Sequence, residues 1–426
     1  MDAVEYARRH SPRLQSARAI FEGAKGQEQV AFAAFLPEVG IASQAGANTR
    51  NVGPGIPSLT GFLLTSGVGP HQYAQGLGEL QWTVYDFGRR TARYHQASAR
   101  QRVAEFQLTR ADQTVQFDAA VSYLDILLAQ ASLHVQDDAI RLAKAILKDA
   151  RARLAGGVAD PDDILRAEVQ LSESQEGFVR AREVNLFAIA QLNNVMGRNA
   201  ALPLEVFEVD LPSLESDLSL SKSLAIAAEL RPEIQFAREA VVAAQEGVAA
   251  AEAAFRPNIF VRGSTGLVDG NNVLTGWQNG IGLHLVMPLY TGGRLTGDLH
   301  AAKAEVSAAV ADAEVILNRV SLEVTQAFQA QVAAQQRLEL SRTAVVEAQE
   351  NLRLVRVKYQ NGNATPSEIV DAETILTRSQ QRQKTALYTY MATLTRLDYA
   401  VGQPQGTILR QARLSETMPA VLPTVR

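Results

Sequence analysis

From Val306 to Tyr359, apolar residues recur at alternating steps of four and three, through Val310, Ala313, Leu317, Val320, Val324 and Ala327 to Val345, Ala348, Leu352 and Val355. Only Gln331 and Ser341 interrupt the seam. An unbroken heptad of this length predicts coiled-coil packing, with the small residues letting helices approach closely. A helix of about 70 residues rises about 100 Å at roughly 1.5 Å per residue, and no compact globule accommodates it. An earlier stretch keeps the same register over Val115, Ala119, Ile126, Ala129, Leu133, Ile140, Ala143, Leu147 and Leu154.

Period two marks the strands. Ile281, Leu283, Leu285, Met287 and Leu289 alternate with Gly280, Gly282, His284, Val286 and Pro288, and Leu80, Trp82 and Val84 hold the matching face earlier in the chain. Alternation also runs through Val39, Ile41, Ser43 and Ala45, and through Ile259, Val261, Gly263 and Thr265. About ten residues of alternation suit a half-buried strand, and about 9–11 residues cross a bilayer when tilted in a barrel.

These elements occur twice. Pro12 and Pro232, Phe35 and Phe255, Pro37 and Pro257, and Gly46 and Gly266 are each 220 apart. Further on the offset is 205, in Tyr85/Tyr290, Gly88/Gly293, Gly157/Gly362, Pro161/Pro366, Ala167/Ala372 and Gly197/Gly402. The difference of 15 is an insertion within Asn51–Gly76. A fixed offset over so many positions is an internal repeat. The expected organisation is a first repeat at 1–197 (helix, β-hairpin 38–86, long helix 88–155, return helix 161–196) and a linker at 198–222. A second repeat follows at 223–402 (helix, β-hairpin 257–290, long helix 293–360, return helix 366–401), then a tail at 403–426. In each repeat a helix of about 25 residues runs to Phe35 or Phe255 and is ended by Pro37 or Pro257, since proline lacks the N–H and clashes with the preceding turn.

Composition narrows the function. A net charge of -4 and a pI near 6.0 argue against a nucleic-acid binder. Cysteine is absent, which removes disulfides, Cys-ligated zinc and a Cys nucleophile. The six histidines are scattered, and no HExxH, GxSxG or P-loop occurs, so no enzyme, cofactor or metal site is expected. No run of 18 apolar residues is present, so a membrane crossing would have to be a closed β-barrel. The repeat begins almost at residue 1, so a secretion leader is expected to have preceded this sequence. Four strands are too few to close a barrel; two chains give eight, filled by side chains, and three give twelve, with room for a lumen. A homotrimer is the expected count if the strands line a channel.

Short signatures complete the pattern. Phe35-Leu36-Pro37 and Phe255-Arg256-Pro257 precede the hairpins, and Tyr85-Asp86-Phe87-Gly88-Arg89 and Tyr290-Thr291-Gly292-Gly293-Arg294 follow them. Lys358-Tyr359-Gln360-Asn361-Gly362 leads on to Ile369-Val370-Asp371-Ala372. Over nearly its whole length the chain resembles the TolC-like outer membrane efflux protein family. The resemblance implies a mainly α fold with a transmembrane β-barrel portion, long coiled-coil helical hairpins and four strands per chain, forming a trimeric α-barrel/β-barrel duct. It also implies the exit channel of a tripartite efflux pump or type I secretion system in the outer membrane of a Gram-negative bacterium, with the helices in the periplasm. The implied partners are outer-membrane lipid, a periplasmic adaptor, and an inner-membrane pump or ABC transporter.

By the same resemblance Tyr359 matches a gate tyrosine, Asp163 its acidic partner, and Glu368 and Asp371 an acidic constriction, while the turns around Leu154, Gly157 and Gly362 would receive the adaptor. The tip arginine familiar in the family is Ala364 here. Arg166 is the first-repeat counterpart of Asp371, and the two are expected to pair across neighbouring helices. Asp160-Pro161-Asp162-Asp163 and Thr365-Pro366-Ser367-Glu368 also read as helix N-caps, where acids are favoured by the dipole alone. Leu80, Trp82, Val84, Tyr85, Ile281, Leu283, Leu285, Met287 and Leu289 are the expected lipid-facing residues, with Trp82 and Tyr85 as an aromatic girdle. The apolar Gly61-Phe62-Leu63-Leu64 is a candidate to fold into the barrel mouth. The alternative function is a soluble periplasmic coiled-coil scaffold or adaptor, which would carry one helical hairpin rather than two.

Overall fold

The computed structural model describes residues 2–48, 71–156, 160–206, 219–270, 275–361 and 363–403. The first repeat contributes α1 (Asp2–His10), α2 (Pro12–Ala33), β1 (Glu38–Asn48), β2 (His71–Tyr85), α3 (Arg89–Ala155) and α4 (Pro161–Val195). The second contributes α5 (Leu220–Leu230), α6 (Pro232–Ala253), β3 (Asn258–Gly270), β4 (Gly276–Val286), α7 (Arg294–Gln360) and α8 (Pro366–Val401). Among the described residues no helix is long and apolar enough to cross a membrane. The chain divides into two units, one of Met1–Arg18, Gln107–Ile234 and Ile316–Arg426, the other of Ala19–Phe106 and Gln235–Val315.

The first unit is helical, and it holds the repeat as two matching cores. Ala7, Leu14, Val115, Ala119, Leu192 and Met196 are buried together in one. Ala227, Ile234, Val320, Val324, Leu397 and Val401 are buried together in the other, each 220 or 205 residues further on. The heptad seam of α7 is buried from Val320 to Tyr359, whereas Val310 and Leu317 stay exposed in the single chain. Gln331, an interruption in that seam, is buried with its amide donating to Gln335 at 3.3 Å and to the Tyr390 hydroxyl at 3.5 Å. A polar residue so partnered loses little by burial.

The helix of about 25 residues expected in each repeat is α2 or α6, and a shorter helix, α1 or α5, precedes it. The breaks fall at Ser11–Pro12 and Arg231–Pro232. Proline at a first helical position lacks the N–H that would continue the preceding ladder, and the residue before it is driven out of the α region; Arg231 accordingly sits at φ -69, ψ 118. Arg231 is also the largest fully buried side chain. Its guanidinium donates to Ala400 O at 2.8 Å, to Glu233 at 2.9 and 3.0 Å, and to Glu323 at 2.6 Å. Glu233 is shared with Arg110 at 2.5 Å, and Arg110 lies over the Tyr399 ring at 3.6 Å. The joint between α5 and α6 is thereby fastened to α3, α7 and the end of α8.

The second unit carries a four-stranded antiparallel sheet in the order β1-β2-β3-β4. Its register decides which side chains share a face. Val39, Leu80, Gly263 and Ile281 form one row, and Trp82, Val261 and Leu283 another. On this face Ile41, Ile281, Leu283 and Leu285 are exposed to 91%, 82%, 71% and 64%, which is extreme for large apolar residues. The opposite face presents the row Glu38, Gln81, Arg262, Gly282 and the row Gly40, Glu79, Ser264, Gly280. Gly266 is required on that face, since a Cβ there would meet Gly76 O at 2.0 Å.

Two expectations about the strands are corrected. β2 begins at His71, so residues 71–76 belong to the sheet and not to the long loop: Gln75 pairs with Gln44 and Gly76 with Ser43. The rest of that loop, with Gly61-Phe62-Leu63-Leu64, lies outside the described residues, as do Gly157, Gly362 and residues 404–426. β4 ends at Val286, so Met287 and Leu289, though exposed, follow the strand, where Pro288 cannot donate to a ladder. Register shifts between Thr83 and Tyr85, which leaves Val84 as the extra residue of a bulge. That is how the consecutive Val84 and Tyr85 both come to be exposed.

Candidate functional site at the helical tips

The tips are built by two turns, between α3 and α4 and between α7 and α8. Pro161 and Pro366 start the return helices, preceded by Asp160 and Thr365 in extended backbone. Glu368 closes a capping box: its carboxylate accepts from the Thr365 N–H and hydroxyl, each at 3.1 Å, while the Glu368 N–H donates to Thr365 Oγ1 at 3.3 Å. Asp163 accepts from the Asp160 N–H at 3.4 Å. Both acids therefore hold helix ends. Asp371 is one turn further along α8, exposed, with no ion pair among the described residues. Arg166 pairs with Asp162 at 3.6 Å, one turn back on its own helix, and not with Asp371. The i,i+4 spacing places these two side chains on one face of α4.

Tyr359 is buried at 5% exposure. The Arg153 guanidinium, from the last turn of α3, lies 3.6 Å from the centre of its ring and donates to Tyr359 O at 3.0 Å. Burial pushes the Tyr359 phenol up; Arg153 opposes this, and Asp149 and Asp163 add to it, so the hydroxyl stays protonated at neutral pH. Leu154, next to Arg153, is half-buried.

A second pair went unnoticed in the sequence. Arg356 on α7 faces Glu373 on α8 at 3.6 Å, and Arg151 on α3 meets Glu168 on α4 at 2.8 Å. Both partners sit at the 205 offset, and that coincidence was the available signal. The first-repeat pair is exposed, whereas Glu373 is buried to 3% and its Oε1 has no hydrogen bond. Burial pushes the Glu373 carboxyl up to about 7, against the pull of Arg356. The folded chain then holds a proton that an unfolded chain has already released. Stability from this group is greatest below the unfolded value of 4.5, falls as pH climbs to about 7, and levels off above it. The loss over that window is on the order of 3 kcal/mol. Glu373→Gln should remove this component, so its gain in melting temperature over the parent should be absent near pH 4.5 and full above pH 7. A gain equal at both pH values would show that Glu373 is not its source.

Two buried helical hairpins, two half-equivalent tips and a sheet with an exposed apolar face are now in place. The Outer membrane efflux protein family matches residues 3–198 and 224–403. The chain belongs to this family. Among curated relatives, the outer membrane protein TolC of Salmonella enteritidis is 24% identical over 94% of this chain and 81% of its own length. The outer membrane efflux protein BepC of Brucella suis is 25% identical over 89% and 79%. The crystal structure of the outer membrane protein VceC of Vibrio cholerae superposes with a TM-score of 0.81 at 23% identity, covering 94% of this chain and 95% of that one. The resemblance read from the signatures, the mainly α fold with its four-stranded sheet and the exit-duct function thus stand together, and members of the family are channels rather than enzymes. The scaffold or adaptor alternative falls with the family match.

Proposed function

We propose that three copies of this efflux protein close their sheets into one twelve-stranded barrel in the outer membrane of a Gram-negative bacterium, and that the helices form a duct reaching into the periplasm. The observation that carries this is the sheet itself. One face is apolar and exposed, the other is mostly polar and glycine-rich with Leu77, Phe260 and Val268 buried on it, and among the described residues no strand pairs with the outer edges of β1 and β4. Lipid tolerates no open edge, so each β1 must meet a β4 of the next copy. Leu80, Trp82, Ile281, Leu283 and Leu285 then face lipid, with Val84 and Tyr85 at the interface and Met287 and Leu289 just beyond the strand.

The helical tips form the entrance of the duct. Tyr359 gates it, Asp163 and Glu368 shape it as caps, and Asp371, three times repeated, attracts cations as a ring. Arg166, held by Asp162, leaves that ring unneutralised. A periplasmic adaptor docks at the turns flanked by Leu154 and containing Gly157 and Gly362, and an inner-membrane pump or ABC transporter supplies the cargo. The duct itself performs no catalysis and needs no cofactor.

The absence of cysteine provides a clean test. In protein reconstituted into liposomes, Glu79→Cys should react with a membrane-impermeant thiol reagent and Leu283→Cys should be protected. Equal labelling of both, or the reverse order, would overturn the barrel.

A further inference from the structure

The family's tip arginine is missing here: position 364 is alanine. A cation nevertheless reaches the tip from another helix. We infer that Arg153 is the latch of the closed entrance, a positioning residue that holds Tyr359 by the face of its ring and by its backbone carbonyl, so that closure does not depend on the tyrosine hydroxyl. This rests on the reading of Tyr359 as the gate.

The geometry supports each part. Arg153 stands in the last turn of α3 and Tyr359 in the last turn of α7, so one side chain ties together the ends of the two long helices. The carbonyl it caps is among the last four of α7, which have no acceptor role within the helix and carry the negative end of its dipole. The guanidinium satisfies that carbonyl at 3.0 Å and covers the ring at 3.6 Å with the same planar group. Burial of the ring removes competing water and strengthens both contacts. Asp163, the acid that the resemblance would pair with the hydroxyl, accepts from the Asp160 N–H at 3.4 Å as part of the helix cap.

The latch is also asymmetric. At the 205 offset the counterparts of Arg153 and Tyr359 are Lys358 and Leu154, a pair without a ring. Lysine has no planar fork and leucine no π-face, so the reciprocal lock cannot form. The two tips of each chain are thus joined by one such tie where the repeat would allow two.

The test is planar-bilayer conductance of the reconstituted protein carrying Arg153→Ala, Tyr359→Phe, Tyr359→Leu or Arg153→Lys. Arg153→Ala, which loses both contacts, should raise the open population about 10-fold or more, and Tyr359→Leu, which loses the ring but keeps the carbonyl, should raise it by less yet clearly above the parent. Tyr359→Phe keeps the ring and the carbonyl and should stay as closed as the parent. Arg153→Lys should be intermediate. A side chain with a merely structural role would not separate phenylalanine from leucine at 359. Opening by Tyr359→Phe as large as by Tyr359→Leu would overturn the inference in favour of the hydroxyl. Opening by Tyr359→Leu with Arg153→Ala unchanged would overturn the latch and leave the gate reading standing. No opening by any variant would overturn both.

Discussion

Leu283→Arg is expected to abolish insertion of the protein into the outer membrane, while Glu79→Arg inserts. Leu283 lies near the middle of the exposed apolar run of β4 and is 71% exposed. It shares a row with Val261 and Trp82, so the charge would have no polar neighbour on its face. An arginine at the midplane of a barrel costs about 2–4 kcal/mol, and three copies would cost about three times that. A typical domain's whole stability is about 5–15 kcal/mol, so the loss in each chain is a large fraction of what holds it together, and it recurs in all three. Glu79, on the opposite face beside Ser264, would place the same charge in water. Fractionation of cells, with heat-modifiable migration of the trimer, reads both outcomes. Insertion of Leu283→Arg at the parental level would mean that this face does not meet lipid.

The second large effect is expected at Arg231. Arg231→Ala should lower the stability of the helical unit by about 3–5 kcal/mol, because breaking a buried ion pair strands its partners. Glu233 would retain Arg110, but the Ala400 carbonyl would lose its donor and a cavity would remain. Arg231 and Arg110 repel one another across the Glu233 they share: burial, then the facing Arg231 guanidinium, pull Arg110 below the usual arginine value, and Glu233 opposes them. Arg13→Ala is the fitting comparison, since Arg13 meets Asp118 at 2.9 Å with its side chain 72% exposed, and such pairs contribute only about 1 kcal/mol or less. Guanidinium unfolding followed by circular dichroism gives both values. Equal losses for the two variants would mean that the Arg231 cluster holds nothing in particular.

The elements legible in the sequence were those governed by one local rule. Period two placed Leu80, Trp82, Ile281, Leu283 and Leu285 together, and the four-three seam marked Val320, Val324 and Leu352 for burial. Pro161 and Pro366 announced the return helices. What escaped depends on contacts between distant segments. Arg153 is an ordinary charged residue of a helix end until a tyrosine 206 residues away comes under it. Glu373 differs from Glu168 only in how deeply its helix is covered. The bulge at Val84 is a register event between β2 and β3, invisible in either strand alone. Ser11 and Arg231 occupy equivalent positions before proline, yet only the second gathered Glu233, Glu323 and Arg110 around it. In the single chain Arg166 meets Asp162, one turn away on the same helix.

The central claim is that this chain acts as a closed trimeric channel. Its most direct test is the single-channel conductance of the detergent-purified protein in a planar bilayer, with the oligomer mass measured on the same sample. The account predicts a trimer giving discrete, cation-preferring conductance that loses its cation preference in Asp371→Asn. A monomer or dimer without conductance, from correctly folded material, would contradict it.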